Sequence, residues 1–439
     1  MAINVPSTVA AFQHESTEHA PVVAGNGAPA GYIVSEPIPV GGADDAADFD
    51  TDNDTECGNG ENMTRTETRS AAREDAGPAR LDNLTLARKE GWRRFVNTPA
   101  RIPPEPLTRA ELDALSEDAF EDYNRQRREW HANLGPIKTP QLTALHEDWW
   151  DISDSNAQDG DKAKGSVAID AFPGLGKTTS VLAFAREYHR REIKTLGDTT
   201  DSGHERWPVC RVGLTGNTGM KEFNRAMLEF FAHPGSRRGT AADYARRALD
   251  CVLSCEVRVL IIDDLHFLQW RNSSGIAISN HFKYIANEFP VTMIFIGVGL
   301  AARGLFCEGS DYQDAVLAQT GRRTTALGME PFAVNTERGR RQWRQLLLAI
   351  EQRVVLADKQ PGMIADELCD YLYARSTGHI GSLMTLINRG CQRAVRSGEE
   401  KLTVELLDKV KIDAASEKAR QELELAINTG KIRVRRKAG

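Results

Sequence analysis

Long apolar runs are missing from this chain. No stretch approaches the ~20 residues that span a membrane. The amino terminus has no basic segment followed by an apolar one, so neither an anchor nor a secretory signal is expected. Cysteine is sparse and unpatterned, with seven residues at 57, 210, 251, 255, 307, 369 and 391. Cys251 and Cys255 lie one helical turn apart, but no second pair completes a zinc set. An odd count in mostly apolar contexts fits reduced thiols and a cytoplasmic location. No internal repeat is present. Large apolar residues are scarce through residues 1–80, where Ala, Gly, Asp, Thr and Asn dominate. Such a segment buries too little surface to offset chain entropy, and a disordered acidic tail is expected there.

The charge is unevenly spread. Residues 1–70 hold twelve acids and two arginines, a net of −10, so the remainder carries +3 against a total of −7. The acidic overall balance therefore says little about partners, because the part able to fold is mildly basic.

What is present centres on Ser166–Ser180, SVAIDAFPGLGKTTS. A short apolar run, Val167 to Ile169, enters a glycine loop that ends in Gly176-Lys177-Thr178, and a helical pattern follows at once. Strand, loop and helix are the context that a phosphate-binding P-loop needs. Ala171 stands where the pattern has its first glycine. Pro173, Gly174, Leu175, Gly176, Lys177, Thr178 and Thr179 are the expected nucleotide contacts. Backbone N–H groups turn in around phosphate oxygens, and the helix N-terminus adds partial positive charge. Lys177 reaches the β- and γ-phosphates of ATP, and the Thr178 hydroxyl ligates Mg²⁺.

The second half of the site is expected at Val257–Asp264, VRVLIIDD, 86 positions beyond Lys177 at Asp263. An apolar strand delivers two carboxylates to its C-terminal edge, where open α/β sheets bind ligands. Asp263 is the expected Mg²⁺ residue, and Asp264 the base that orients the attacking water.

Along the chain, residues 81–159 read as an N-terminal helical extension. Its predicted helices include one capped by Thr108 and running through Tyr123 and Trp130, and one opened by Thr139-Pro140. Arg125, Arg127 and Arg128 read as a solvated helix face rather than a nucleic-acid contact. Residues 160–330 read as an α/β domain. Its strands are expected at the P-loop run, Val209–Leu214, Val257–Ile262, Val291–Gly297 and Thr324–Leu327. Their alternation with helices predicts a five-stranded parallel sheet covered on both faces. Residues 331–427 read as an all-helical domain, with helices predicted over Thr336–Ala357, Met363–Ser376, Ile380–Ser397 and Thr403–Ile427. Residues 428–439 form a basic tail, with five basic residues in the last nine.

This order of parts resembles that of AAA+ ATPases, and more finely the TniB/TnsC-type transposition ATPases, relatives of the phage Mu B protein. The residues that carry the resemblance are an Arg-rich helix leading to Ile137-Lys138-Thr139-Pro140, the pair AFPGLGKTT and LIIDDLHFL, then VTMIFIGVG and QTGRRTTALGMEPF, and finally STGHIGSLMTLINRGCQRAV. It covers about residues 100–415. The resemblance implies that the Val291–Gly297 strand lies between the P-loop strand and the Asp263 strand. It also implies that Arg322 and Arg323 reach the γ-phosphate held by a neighbouring subunit; an ordinary surface pair is the alternative. The chain departs from the wider class in three places. Asp264 replaces a common Glu, the Val291–Gly297 strand ends without a polar sensor, and Gly381 fills the slot of the second-sensor arginine.

Members of this family assemble with ATP on duplex DNA as filaments or rings and recruit a transposase. By resemblance the chain is an ATP-dependent, slowly hydrolysing regulator of target choice, a homo-oligomer that binds DNA without sequence preference and has no membrane role. The matching DNA-contact stretch is Thr215–Arg225, with Asn217, Thr218, Lys221 and Arg225 as candidates; an ordinary β–α turn is the alternative. The basic tail Lys431–Lys437 either touches DNA or transposase or is simply solvated. Two other readings stay open: a helicase loader or replication initiator, and a weakly hydrolysing nucleotide-gated scaffold. No helix-turn-helix follows residue 400, which counts against the first. No spaced Asp/Asp/Glu nuclease set is present, which agrees with a regulator rather than the enzyme that cuts.

Overall fold

The computed structural model describes residues 85–157, 163–215, 218–265, 273–302 and 321–434, with 273–279 as backbone only. All lie in one compact unit spanning Ala76–Gly439. The expected acidic tail, Asn217, and the last residues of the basic tail fall outside the described set.

The centre is a five-stranded parallel sheet: β1 (Ser166–Asp170), β2 (Val209–Gly213), β3 (Val259–Asp263), β4 (Thr292–Gly297) and β5 (Thr324–Gly328), in the order β2-β3-β4-β1-β5. β3 and β4 are buried along their whole length. That is why they read as unbroken apolar runs: a parallel sheet is covered on both faces and leaves no solvated side to alternate. β4 lies between β1 and β3, as the resemblance implies. Register aligns the carboxyl ends, with Asp170 beside Gly297 and Gly213 beside Asp263.

Among the described residues four helices precede the sheet: α1 (Lys89–Asn97), α2 (Arg109–Asp113), α3 (Glu117–Ala132) and α4 (Pro140–Ser155). Thr108 caps only the short α2, through a reciprocal bond with Glu111. Ser116 then caps α3 afresh, with Glu117 and Asp118 in its first turn. The single helix predicted from Thr108 is therefore two, because a second cap with acidic followers restarts the chain. Thr139 accepts from the Leu142 amide and Pro140 occupies the first turn of α4, as predicted. α5 (Lys177–Leu196), α6 (Met220–Phe230), α7 (Ala241–Ser254) and α8 (Ser273–Glu288) accompany the strands.

After β5 come helices Glu337–Glu351, Cys369–Ser376, Ile380–Ser397, Val404–Asp408 and Ala414–Asn428. The last predicted helix, Thr403–Ile427, is broken at 409–413. There the carbonyls of Leu407 and Val410 accept from Arg375, that of Lys409 from Arg393, and that of Lys411 from Arg389. Asp413 then caps the second segment through the Ser416 amide. The stretch Met363–Glu367 is a π-turn whose start is held by the buried Glu351 carboxylate, which accepts from the amides of Gly362, Ile364 and Ala365.

Among the described residues two hydrophobic cores result. One holds the sheet together with Trp92, Leu145 and Trp149. The other holds the C-terminal helices together with Trp130, Leu134 and Ile137. The N-terminal helices thus divide between them: α1 and α4 pack on the sheet side, α3 on the helical side. Among the described residues the chain crosses between the cores three times: between Val96 and Trp130, between Ile137 and Leu145, and between Met329 and Phe332. Gln141 Nε2 donates to the Glu330 carbonyl at 3.3 Å, tying the last two crossings together.

Arg127 corrects one expectation. It is not on a solvated face but fully buried, pairing through both Nη atoms with Glu400 at 2.5 and 2.8 Å. Arg125 and Arg128 are exposed.

Candidate nucleotide site

The loop between β1 and α5 turns through two left-handed glycines, Gly174 at φ +79° and Gly176 at φ +85°. Residues with a Cβ rarely adopt this backbone. Ala171 is buried at the start of the loop. Lys177 Nζ donates to the carbonyls of Ala171 (2.6 Å) and Phe172 (2.8 Å). Burial lowers the Lys177 pKa from its ordinary value, and the charges of Asp170, Asp263 and Asp264 act in the opposite sense. The structure thus gathers Lys177 and both predicted carboxylates at one edge of the sheet, with Thr178 half-buried on the first turn of α5.

Asp263 ends β3 and is 3% exposed. Its Oδ2 accepts from Arg211 Nη2 at 2.7 Å, and its Oδ1 from the Asp264 amide at 3.0 Å. Asp264 is exposed at the next position, with φ +61°, a left-handed backbone that Asp tolerates better than most residues. Asp170, which ends β1, accepts from the Ala301 amide at 2.9 Å. β4 ends in Gly297, and Val298 and Gly299 (φ +65°) follow, so that edge presents no polar side chain at this point.

Asp263 and Thr178 offer hard oxygen donors. Among the described residues no cluster of three or more His, Cys, Asp or Glu forms an all-protein cage. Mg²⁺ bound with nucleotide needs none, since it takes one or two protein oxygens and completes its shell with phosphate and water. The donor set therefore fits Mg²⁺, with Arg211 already on one of the Asp263 oxygens.

The helix Ile380–Ser397 lies against the P-loop. The Gly381 amide donates to the Gly174 carbonyl at 2.8 Å. A Cβ on Gly381 would stand 2.8 Å from that oxygen and 3.1 Å from Gly174 Cα. A second-sensor arginine therefore has no room at this position. Gly378, at φ +75°, would clash with the Phe332 carbonyl if given a Cβ.

Arg322 and Arg323 lie at the other edge. The Ser166 amide, at the start of β1, donates to the Arg323 carbonyl at 2.8 Å, and Arg323 Nη1 donates to Asn287 Oδ1 at 2.8 Å. The length of β1, about 15 Å at ~3.3 Å per residue, separates them from their own P-loop.

Of the predicted DNA contacts, Thr218 is engaged in its own turn, donating to the Thr215 carbonyl and accepting from the Thr215 amide. Lys221 and Arg225 are exposed one turn apart on α6. Lys221 Nζ sits 6.0 Å from the Tyr244 ring centre, and Arg225 pairs with Glu229 at 3.0 Å. In the basic tail, Val434 is buried at 2% in the helical core, so the chain is held at least that far.

Sequence reasoning missed Arg211 and Asp170. The available signal was an arginine inside an otherwise apolar strand, VCRVG, since a charge in a sheet covered on both faces needs a partner.

Residues 160–306 match the family described as AAA domain. This segment is an AAA-type P-loop ATPase domain. No curated protein matches the chain. Among solved structures, it is similar to the Aeropyrum pernix ORC1 protein in complex with DNA (16% identity, 69% of this chain and 70% of that one, TM-score 0.45). It is also similar to A. pernix ORC2 (15%, 76% and 72%, 0.44) and to Cdc6p from Pyrobaculum aerophilum (11%, 69% and 83%, 0.43). Among the described residues no helix is long and apolar enough to cross a membrane.

Proposed function

We propose that the protein is an ATP-dependent regulator of transposition that assembles head to tail on duplex DNA and recruits a transposase. One observation carries the assembly: Lys177 and Asp263 stand at the carboxyl edge of the sheet, while Arg322 and Arg323 stand at the amino edge. A single chain cannot bring its own arginines to its own phosphate, whereas a neighbour can. The transposition role rests on the sequence resemblance, above all on the Gly-x-Ile-Gly-x-Leu segment at Gly378–Leu383.

In this reading the amides of Gly174 to Thr179 and the amino end of α5 hold the β- and γ-phosphates, and Lys177 leaves its two carbonyl partners to join them. Magnesium, when bound, neutralises charge on those phosphates; Thr178 and Asp263 hold it. Asp264 orients the attacking water. Arg322 or Arg323 of an adjacent copy stabilises the charge that develops on the γ-phosphate, which makes turnover depend on assembly. Thr218, Lys221 and Arg225 face the DNA backbone.

The test is electron microscopy with a non-hydrolysable ATP analogue and duplex of arbitrary sequence. Filaments or rings, dissolved by added salt, are expected, and monomers alone would sink the proposal. Co-purification of a replicative helicase in place of a transposase would favour the initiator reading.

A further inference from the structure

Arg211 has no role in the chemistry above, yet it makes the closest polar contact of the metal-binding carboxylate. Its Nη2 lies 2.7 Å from Asp263 Oδ2, with the two side chains only 18% and 4% exposed. The other oxygen, Oδ1, is occupied by the Asp264 amide. Both oxygens of the carboxylate are thus engaged before any cation arrives. Arg211 Nε is itself buried with no hydrogen-bond partner. A guanidinium offers five N–H donors, and an orphaned buried donor beside a functional carboxylate marks a group not fully satisfied where it stands.

A buried carboxylate with no opposite charge is costly, and a site that must stay empty between turnovers needs such a charge. A dication on Asp263 meets the same need and repels the guanidinium. Arg211 reaches Asp263 from β2, which borders β3 on the flank away from the P-loop strand. From this geometry we infer that Arg211 is a resident counter-ion of Asp263, a positioning residue that competes with Mg²⁺ for the carboxylate and so sets the magnesium concentration at which nucleotide is gripped. The inference rests on the nucleotide reading of this site.

The experiment measures binding of a fluorescent ATP analogue to the full chain across a magnesium titration, without turnover. In Arg211→Met the magnesium concentration for half-maximal binding is expected to fall about fivefold or more. Arg211→Lys, which keeps the charge but loses the planar fork, is expected to fall between Arg211→Met and wild type, and it serves if Arg211→Met does not fold. In an Asp263→Asn background the Arg211 substitution should change nothing further. Thermal unfolding gives a second readout: magnesium plus nucleotide should raise the melting temperature of Arg211→Met by more than that of wild type.

If wild type binds no nucleotide, the nucleotide reading fails and takes this inference with it. If wild type binds but the magnesium midpoint is the same in the folded variants, only the inference is overturned. If a folded Arg211→Met loses binding at every magnesium concentration, Arg211 is a direct phosphate ligand and the inference is likewise overturned.

Discussion

Gly381 and Gly174 meet backbone to backbone, the amide of one on the carbonyl of the other at 2.8 Å. The contact joins the helical core to the phosphate loop with no side chain between them. Glycine to alanine near a helix start usually stabilises slightly, by restricting the unfolded chain. Here the sign reverses, because the new methyl would fall 2.8 Å from the Gly174 oxygen. Gly381→Ala is expected to lose about 1–3 kcal/mol, the cost of overpacking, and to weaken nucleotide binding. Urea unfolding with and without nucleotide checks both, and a stabilised variant would refute the contact.

Arg127 and Glu400 form a pair with 0% and 1% side-chain exposure. Removing one member leaves an uncompensated buried charge, so Arg127→Ala is expected to cost ~3–5 kcal/mol. Replacing both, Arg127→Met with Glu400→Leu, should restore most of the loss. Chemical denaturation of the three variants gives the comparison. Equal destabilisation by the single and double changes would show that lost packing, not charge, is at stake.

Among the described residues three buried histidines set an acid limit. Burial pushes His131 down to about 3, helped by the charges of Arg127 and Lys359. Burial likewise takes His189 and His281 down to about 4. His131 Nε2 accepts from the Val355 amide, and His189 Nδ1 from Trp92 Nε1, bonds that only the neutral rings can make. The folded pKa lies below the unfolded value of about 6.5, so the unfolded chain binds more protons between the two. Stability is therefore full above pH ~6.5 and falls as pH drops towards 4, by up to about 1.4 kcal/mol per pH unit for each ring. His131→Gln should flatten the slope of unfolding free energy against pH. An unchanged slope would remove His131 from the account.

Arg322→Ala and Arg323→Ala separate the arginines. Neither is expected to change nucleotide affinity, because both lie at the far edge of the sheet. The one that serves a neighbour should lower assembly-dependent hydrolysis by ~10³-fold or more, the scale seen for arginines supplied in trans. Arg323 is also held by Asn287, so its loss should cost some stability as well. Hydrolysis at rising protein concentration, with and without DNA, distinguishes the two. Undiminished turnover in both would exclude a shared site.

The sheet and its ligand edge were legible because parallel strands read as apolar runs, and because the glycine loop and the paired acids declare themselves locally. The breaks were not. Residues 409–413 carry helical periodicity, but Arg375, Arg389 and Arg393, brought there by the fold, claim their carbonyls. Arg127 looks solvated until Glu400 arrives from 273 positions away. Arg211 was hidden for the same reason, its partner being 52 positions distant. Long-range charge pairs leave no periodic trace.

The Gln141–Glu330 bond ties together two of the three places where the chain passes between the cores. The Gly174–Gly381 contact joins the two cores at a separate place, on the glycine loop itself. Any displacement of Gly174 is therefore passed to the helical core through backbone alone, with no side chain between them to absorb it.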